Sequence, residues 1–382
     1  MLDACPGVLS LHEAADGYMA RVRLPGGRVD ARALQALAEA ARLGNGIVEL
    51  TSRAGVQVRG LSADGADALA SILSSGGLLP SVAHDRVRNI LAAPLAGRQA
   101  GAVATVDAIV QALDRELCAD ATLAQLPGRF LFAVDDGTHV LAQLGADVEL
   151  VAERAGLRLF LGGSRTSLVV PPAQAAKTAL GAARAFVDRR RADGDGAWRV
   201  RELRGGAERL ALDLDLGIDK AVAPTATAQT MREARCLGLH AQRDGLFAVT
   251  VLPPLARLDP AQLTTLARCA DARGCGDARV SPWRTLSFVD LRESVAPELL
   301  QKLEHAGLVS SDASGWRGLS ACAGLGACVR ARVDVRAEAA KRAAVRDADS
   351  PIEHWSACER RCGEPPDAEI RVVAGERGLA WS

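Results

Sequence analysis

Residues 17–61, GYMARVRLPGGRVDARALQALAEAARLGNGIVELTSRAGVQVRGL, return in altered form at 245–291 as GLFAVTVLPPLARLDPAQLTTLARCADARGCGDARVSPWRTLSFVDL. Both copies read strand, turn, helix, Gly break, strand, Arg-bearing turn, strand. In the first copy, alternating apolar residues predict a strand over Tyr18–Leu24 and a turn at Gly26–Gly27. An amphipathic helix follows over Asp30–Arg42, stopped by Gly44 and Gly46. Strands are then expected over Ile47–Thr51 and Val56–Leu61, with Gln57 and Arg59 sharing one face. In this alignment Gly245 matches Gly17, LDPAQLTTLA matches VDARALQALA, and Arg284 matches Arg53. Repetition on this scale implies a pseudo-twofold arrangement of two α+β halves.

Between the copies, a short helix is expected over Ala66–Leu73, capped by Asp64, and a longer one over Val106–Ala119. Strands are expected over Phe130–Val134, Asp147–Ala152 and Leu157–Leu161, and a helix over Pro172–Arg189. The charged run 188–206, DRRRADGDGAWRVRELRGG, reads as an exposed linker. Helices over Pro297–Ala306 and Val333–Val345 follow the second copy.

Near the C-terminal end, Cys322 and Cys328 lie in ACAGLGAC, and Cys358 and Cys362 in HWSACERRC, with 29 residues between the pairs. The C-x5-C and C-x3-C spacings suit an iron–sulfur cluster better than a lone structural zinc ion. Gly324, Gly326 and Gly363 would let backbone N–H groups approach a cluster's sulfides. The alternative is a set of free buried thiols. Cys5, Cys118, Cys236, Cys269 and Cys275 read as structural thiols, although Cys269–Cys275 repeats the x5 spacing. The six histidines form no recognisable ligand pair; His354 could orient the second cysteine loop or bind metal.

The 382 residues, 49% of them hydrophobic, can bury a large core in two or three domains. Zero net charge and 3% aromatic content argue against nucleic acid as partner, and no apolar run approaches a membrane span. Nine cysteines, an odd number, do not resemble a secreted disulfide framework, so a cytoplasmic home is expected.

Taken together, CPGVLSLHEAADGYMARVRLPGG (5–27), ELTSRAGVQVRG (49–60), DRVRNILAAPLAG (85–97), LPGRFLFAVDDG (126–137) and the four cysteines resemble the sulfite/nitrite reductase superfamily, nearly end to end. The resemblance implies ferredoxin-like half domains at 1–75 and 196–295. It also implies sulfite/nitrite reductase-type α/β domains at 76–195, without cluster ligands, and at 296–382, with a 4Fe–4S cluster. The four cysteines would ligate that cluster. Arg53, Gln57, Arg59, Arg88 and Arg129 would bind the substrate, the first two as an Arg-x3-Gln pattern facing the macrocycle and Arg88 from the RN motif. No catalytic residue is assigned.

Within the superfamily, the CPG, TSR and RNI–PLAG wording looks most like the oxygen-dependent precorrin-3B synthases of aerobic cobalamin biosynthesis. Members of that branch are monooxygenases that hydroxylate precorrin-3A with O2 and form a lactone. The reductases carry a lysine-bearing strand where this chain has Arg129 and Leu131, which are poor proton donors. The expected partners are therefore precorrin-3A, O2 and a reduced electron donor. A mononuclear non-haem iron could accompany the cluster, and sirohaem is the weaker expectation. Two alternatives remain: a sirohaem-dependent sulfite or nitrite reductase, and a non-catalytic iron–sulfur protein that transfers electrons or binds tetrapyrroles.

Overall fold

The computed structural model describes residues 5–194, 196–219, 224–272, 276–347, 349–375 and 378–382; Cys275, and with it the Cys269–Cys275 spacing, lies outside them. The first repeat forms β1 (His12–Ala14), β2 (Gly17–Val22), β3 (Arg28–Val29), α1 (Ala31–Leu43), β4 (Val48–Leu50), β5 (Val56–Leu61) and α2 (Ala66–Ser75). Helix α1 begins where Asp30 Oδ1 accepts from Ala33 N at 2.7 Å, and it buries Leu34, Leu37, Ala38 and Ala41 at helical spacing. Helix α2 does not use Asp64 as the expected cap. Gly65 occupies the N-cap with no side-chain bond, while Asp64 hydrogen-bonds Ser62.

Next come β6 (Ile90–Leu91), α3 (Asp107–Cys118), β7 (Phe132–Asp135), β8 (Val148–Glu153), β9 (Gly156–Leu161), β10 (Ser164–Val170), α4 (Pro172–Ala192), α5 (Gly206–Asp213) and α6 (Ala228–Ala234). The second repeat supplies β11 (Gly238–Ala241), β12 (Phe247–Val251), β13 (Arg257–Leu258), α7 (Pro260–Asp271), β14 (Ala278–Val280), β15 (Leu286–Leu291) and α8 (Ala296–His305). The chain closes with β16 (Leu319–Ala321), α9 (Val335–Ala343), β17 (Glu353–Ser356), β18 (Ile370–Gly375) and β19 (Gly378–Trp381).

The two repeats exchange strands. β3 pairs with β14 of the other repeat, Val29 opposite Ala278, and β13 pairs with β4, Leu258 opposite Val48. The resulting sheets run β1-β2-β5-β4-β13 and β11-β12-β15-β14-β3, with α1 packed on α7 behind them. The crossing is tight: a Cβ on Gly27 (φ 71°) would lie 1.9 Å from the Val280 carbonyl oxygen, so only glycine fits.

The two α/β domains are likewise copies. In the first, β6, β7 and β8 are parallel and β9 and β10 antiparallel; in the second, β16, β17 and β18 are parallel and β19 antiparallel. Strand β10 escaped the sequence reading because Ser164–Ser167 is polar and the strand forms an edge with an irregular register. The run 188–206 is not an exposed linker throughout. Arg199 is buried against Asp147 at 2.7 Å, and Val200 N donates to the same carboxylate, which docks this segment on the first α/β domain. One continuous core spans three domains, whereas the last domain has its own small core of Leu319, Val335, Ala339, Ala343, Trp355, Ala357 and Val372.

The strand ends of the first α/β domain are acidic. Asp136 Oδ2 accepts from Gly97 N at 2.7 Å and its Oδ1 from Thr138 Oγ1 at 2.6 Å, tying the loop after β6 to the loop after β7. Burial, and then Asp135, push the Glu149 carboxyl up to about 8, and its Oε1 has no hydrogen-bond partner among the described residues. Because this folded-state value lies above the unfolded one, Glu149 costs stability as pH rises from its unfolded range through about 8. Glu149→Gln is therefore expected to raise stability at pH 8.5 by roughly 2–4 kcal/mol, with little gain at pH 5. Urea midpoints at the two pH values check this, and equal gains at both would refute it.

Candidate active site

Both cysteine pairs emerge from the C-terminal ends of adjacent parallel strands, Cys322 directly after β16 and Cys358 two residues after β17. That edge is where open α/β sheets present ligands. Cys322 N donates to Trp355 O at 2.9 Å, and Ala357 N donates to Cys322 Sγ at 3.2 Å. Gly324, Gly326 and Gly363 all have positive φ, 75°, 83° and 84°, so the loops turn back on themselves at these glycines. Burial, followed by Cys322, Cys358 and Cys328, pushes the Cys362 thiol up. Yet among the described residues no three His, Cys, Asp or Glu side chains gather around a single ion. Spacing of this kind, with an N–H already directed at a sulfur, fits a multi-iron cluster. His354 is buried beneath the loops, with Nδ1 2.8 Å from Ser320 Oγ; burial, and then Arg284, hold its pKa down at about 4.

All four cysteines line one cavity of about 1060 Å3, facing the sheets of the two half domains. Nine arginines and no lysine line it, against the four carboxylates of Glu13, Glu49, Asp367 and Glu369. The surplus makes it a cationic chamber, and guanidinium forks suit carboxylate arms. Met231, Leu255, Trp283 and Trp316 supply apolar wall. Several cations are already oriented. Arg59 forms a fork with Asp16 at 2.8 and 3.0 Å and donates to Ala327 O at 2.5 Å, tying the first half domain to the first cysteine loop. Arg336 pairs with Glu49 and donates to Cys322 O at 3.2 Å.

Of the residues expected to bind substrate, Gln57 and Arg59 reach this cavity, with the Gln57 amide nitrogen committed to Glu49 at 2.5 Å. Arg53 and Arg88 instead line a side chamber of about 110 Å3 that shares Arg21, Thr51 and Ser52 with the main cavity. Burial lowers both Arg23 and Arg53 there to about 10, and neighbouring guanidiniums add to the effect. Arg88 is held by Asp114 at 2.8 Å through two nitrogens, not by Asp85 or Asp135. Arg129 lines neither space; its guanidinium lies 4.9 Å above the Trp198 ring. Leu131 is buried, so neither position presents a proton donor to the cavity.

The strand register corrects one alignment. Thr51 N bonds Gly55 O and Ala54 N bonds Thr51 O; in the second repeat Ser281 N bonds Thr285 O and Arg284 N bonds Ser281 O. Arg53 thus corresponds to Trp283, and Arg284 to Ala54, both of the latter with positive φ. The sequence reading missed Arg21, Arg232, Arg235 and Arg336. Arg21 had a signal: it lies directly opposite Gln57 across β2 and β5, so it shares the face of Gln57 and Arg59.

With this geometry in place, comparison with known proteins is informative. The family described as nitrite/sulfite reductase ferredoxin-like half domain matches residues 12–75 and again 240–306. The two matched stretches fall on the two repeats. It is 27% identical over 395 residues to a ferredoxin–nitrite reductase of Synechococcus elongatus, covering 94% of this chain and 76% of the relative. It is 25% identical over 384 residues to a precorrin-3B synthase of a Sinorhizobium species, covering 98% and 81%. The solved structure of the Mycobacterium tuberculosis NirA protein superposes with a TM-score of 0.72 at 20% identity, over 95% of this chain and 73% of that one, so the two share a fold. Among the described residues, no helix is long and apolar enough to cross a membrane.

Proposed function

We propose that this protein is a precorrin-3B synthase-type monooxygenase with a 4Fe–4S cluster on Cys322, Cys328, Cys358 and Cys362. The observation that carries the reading is the cavity wall: nine arginines, no lysine and four cysteines around one tetrapyrrole-sized space. Arg21, Arg59, Arg232 and Arg235 would hold the carboxylate arms of precorrin-3A, while Trp283 and Trp316 cover apolar macrocycle and exclude water. A bound cluster supplies electrons one at a time. One oxygen atom of O2 enters a meso carbon as hydroxyl and the other leaves as water, taking two electrons and two protons from the donor; an acetate arm then closes the lactone. In the cysteine loops Leu325, Val329, Arg330 and Arg360 are exposed, a mix of apolar and cationic side chains suited to an acidic electron-donor protein.

The sirohaem reductase reading retains the relatives' names but lacks lysine acids in the cavity wall. Protein purified without air separates the two. The synthase reading expects broad brown absorbance, about four sulfides per chain, no sirohaem, and oxygen uptake with precorrin-3A. Stoichiometric sirohaem with sharp haem bands would transfer the assignment to the reductases, and a reversible cluster without turnover would leave an electron carrier.

A further inference from the structure

We infer that Arg284 is a positioning residue that clamps the loop carrying Cys358 and Cys362 onto the cavity turn of the second half domain. The turn is Ser281–Thr285, the counterpart of Thr51–Gly55. At the corresponding site the first repeat has Ala54, φ 51°, buried in the main core; the second has a full arginine at φ 65°. The turn imposes this left-handed conformation in both repeats, so what distinguishes the second is the long side chain of the arginine. What it reaches is the second cysteine loop: Arg284 Nη2 donates to Gly363 O at 2.6 Å, one residue past Cys362.

That loop has few other anchors. Glu359–Gly363 are five consecutive exposed residues, and the bonds of Arg361 N to Cys358 O and Glu364 N to Arg361 O are local. The bond from Arg284 arrives from a different domain. Its neighbour Trp283 is gripped in turn, with the Arg235 guanidinium 5.2 Å from its ring and Arg235 paired with Asp367, five residues beyond Cys362. Trp283, Arg284, Cys362 and Gly363 all line the same cavity. A ligand that orders the turn therefore also orders the cysteine loop, which links occupancy of the cavity to the position of two cysteines. What the loop holds rests on the cluster reading above; the clamp is a contact between this chain's own residues.

The test uses Arg284→Gly, which keeps the left-handed turn free of strain, and Arg284→Lys, which keeps a donor. Hydrogen–deuterium exchange on iron-free full-length protein reads the clamp directly. Amides of 358–364 are expected to exchange about tenfold faster in Arg284→Gly and near the parent rate in Arg284→Lys, with those of α7 unchanged. On reconstituted protein, iron release to a chelator is expected to quicken about tenfold in Arg284→Gly alone. Unchanged exchange at 358–364 in Arg284→Gly, or faster exchange there and in α7 alike, would overturn the inference. A parent protein that takes up no iron would overturn the cluster reading, while the exchange data would still decide the clamp.

Discussion

Replacing Cys328 with alanine is expected to leave a folded chain with no iron–sulfur absorbance and a protease-sensitive last domain. The reason lies in the size of that domain's core. Seven of its buried apolar residues form a separate cluster, too few to stabilise 60-odd residues unaided. Four thiolates bound to one cluster would cross-link the loops after β16 and β17, and metal-binding free energy then becomes folding free energy for that domain. Iron content should fall at least tenfold, and limited proteolysis of the variant should cut within 319–382 while the rest resists. A variant that retains the parent's iron and its resistance would show that Cys328 is not a ligand.

The second large effect is expected far from the cysteines. Asp107 opens α3 and accepts from Arg279 of β14 at 2.7 and 2.8 Å and from Arg98 at 2.9 Å, so one carboxylate joins the first α/β domain to the second repeat. Burial alone would raise its pKa, but Arg279 and then Arg98 hold it well below the usual carboxylate range. The Arg279 side chain is 7% exposed and would be stranded without its partner. Asp107→Asn should therefore destabilise the protein by about 3 kcal/mol near neutral pH. A depressed carboxylate contributes stability that is present above its unfolded pKa and is lost as pH falls through the folded value. The gap between parent and variant should thus narrow below about pH 4. Urea denaturation at pH 7 and pH 3.5 measures it; a gap that is the same at both pH values would mean the charge is not the cause.

The repeat was legible because its signals are local: apolar periodicity, the matched VDARALQALA and LDPAQLTTLA helix segments, and glycines where the backbone turns. Strand exchange was not, since pairing β3 with β14 is a contact between residues some 250 positions apart that no local pattern encodes. The cysteine loops stand out in the sequence by spacing and by three glycines, all of which have positive φ. The arginines were harder. Which of them face the cavity depends on carboxylates contributed by distant segments, such as Asp114 for Arg88 and Asp16 for Arg59. The offset between Arg53 and Arg284 shows the same limit: a matching residue type one position away in register faces a different space.

Asp136 gives the pseudo-symmetry a further meaning. At the strand ends where the last domain places cysteines, the first α/β domain fastens its two loops with a carboxylate, two backbone amides and a hydroxyl. One half of the molecule is thus fastened by protein groups alone, while the other, on the proposed cluster reading, would await an inorganic part. The completed half already presents Arg21, Gln57 and Arg59 as one finished wall of the cavity. Iron delivery can then be the closing step of maturation, acting on a scaffold whose remaining parts are already set.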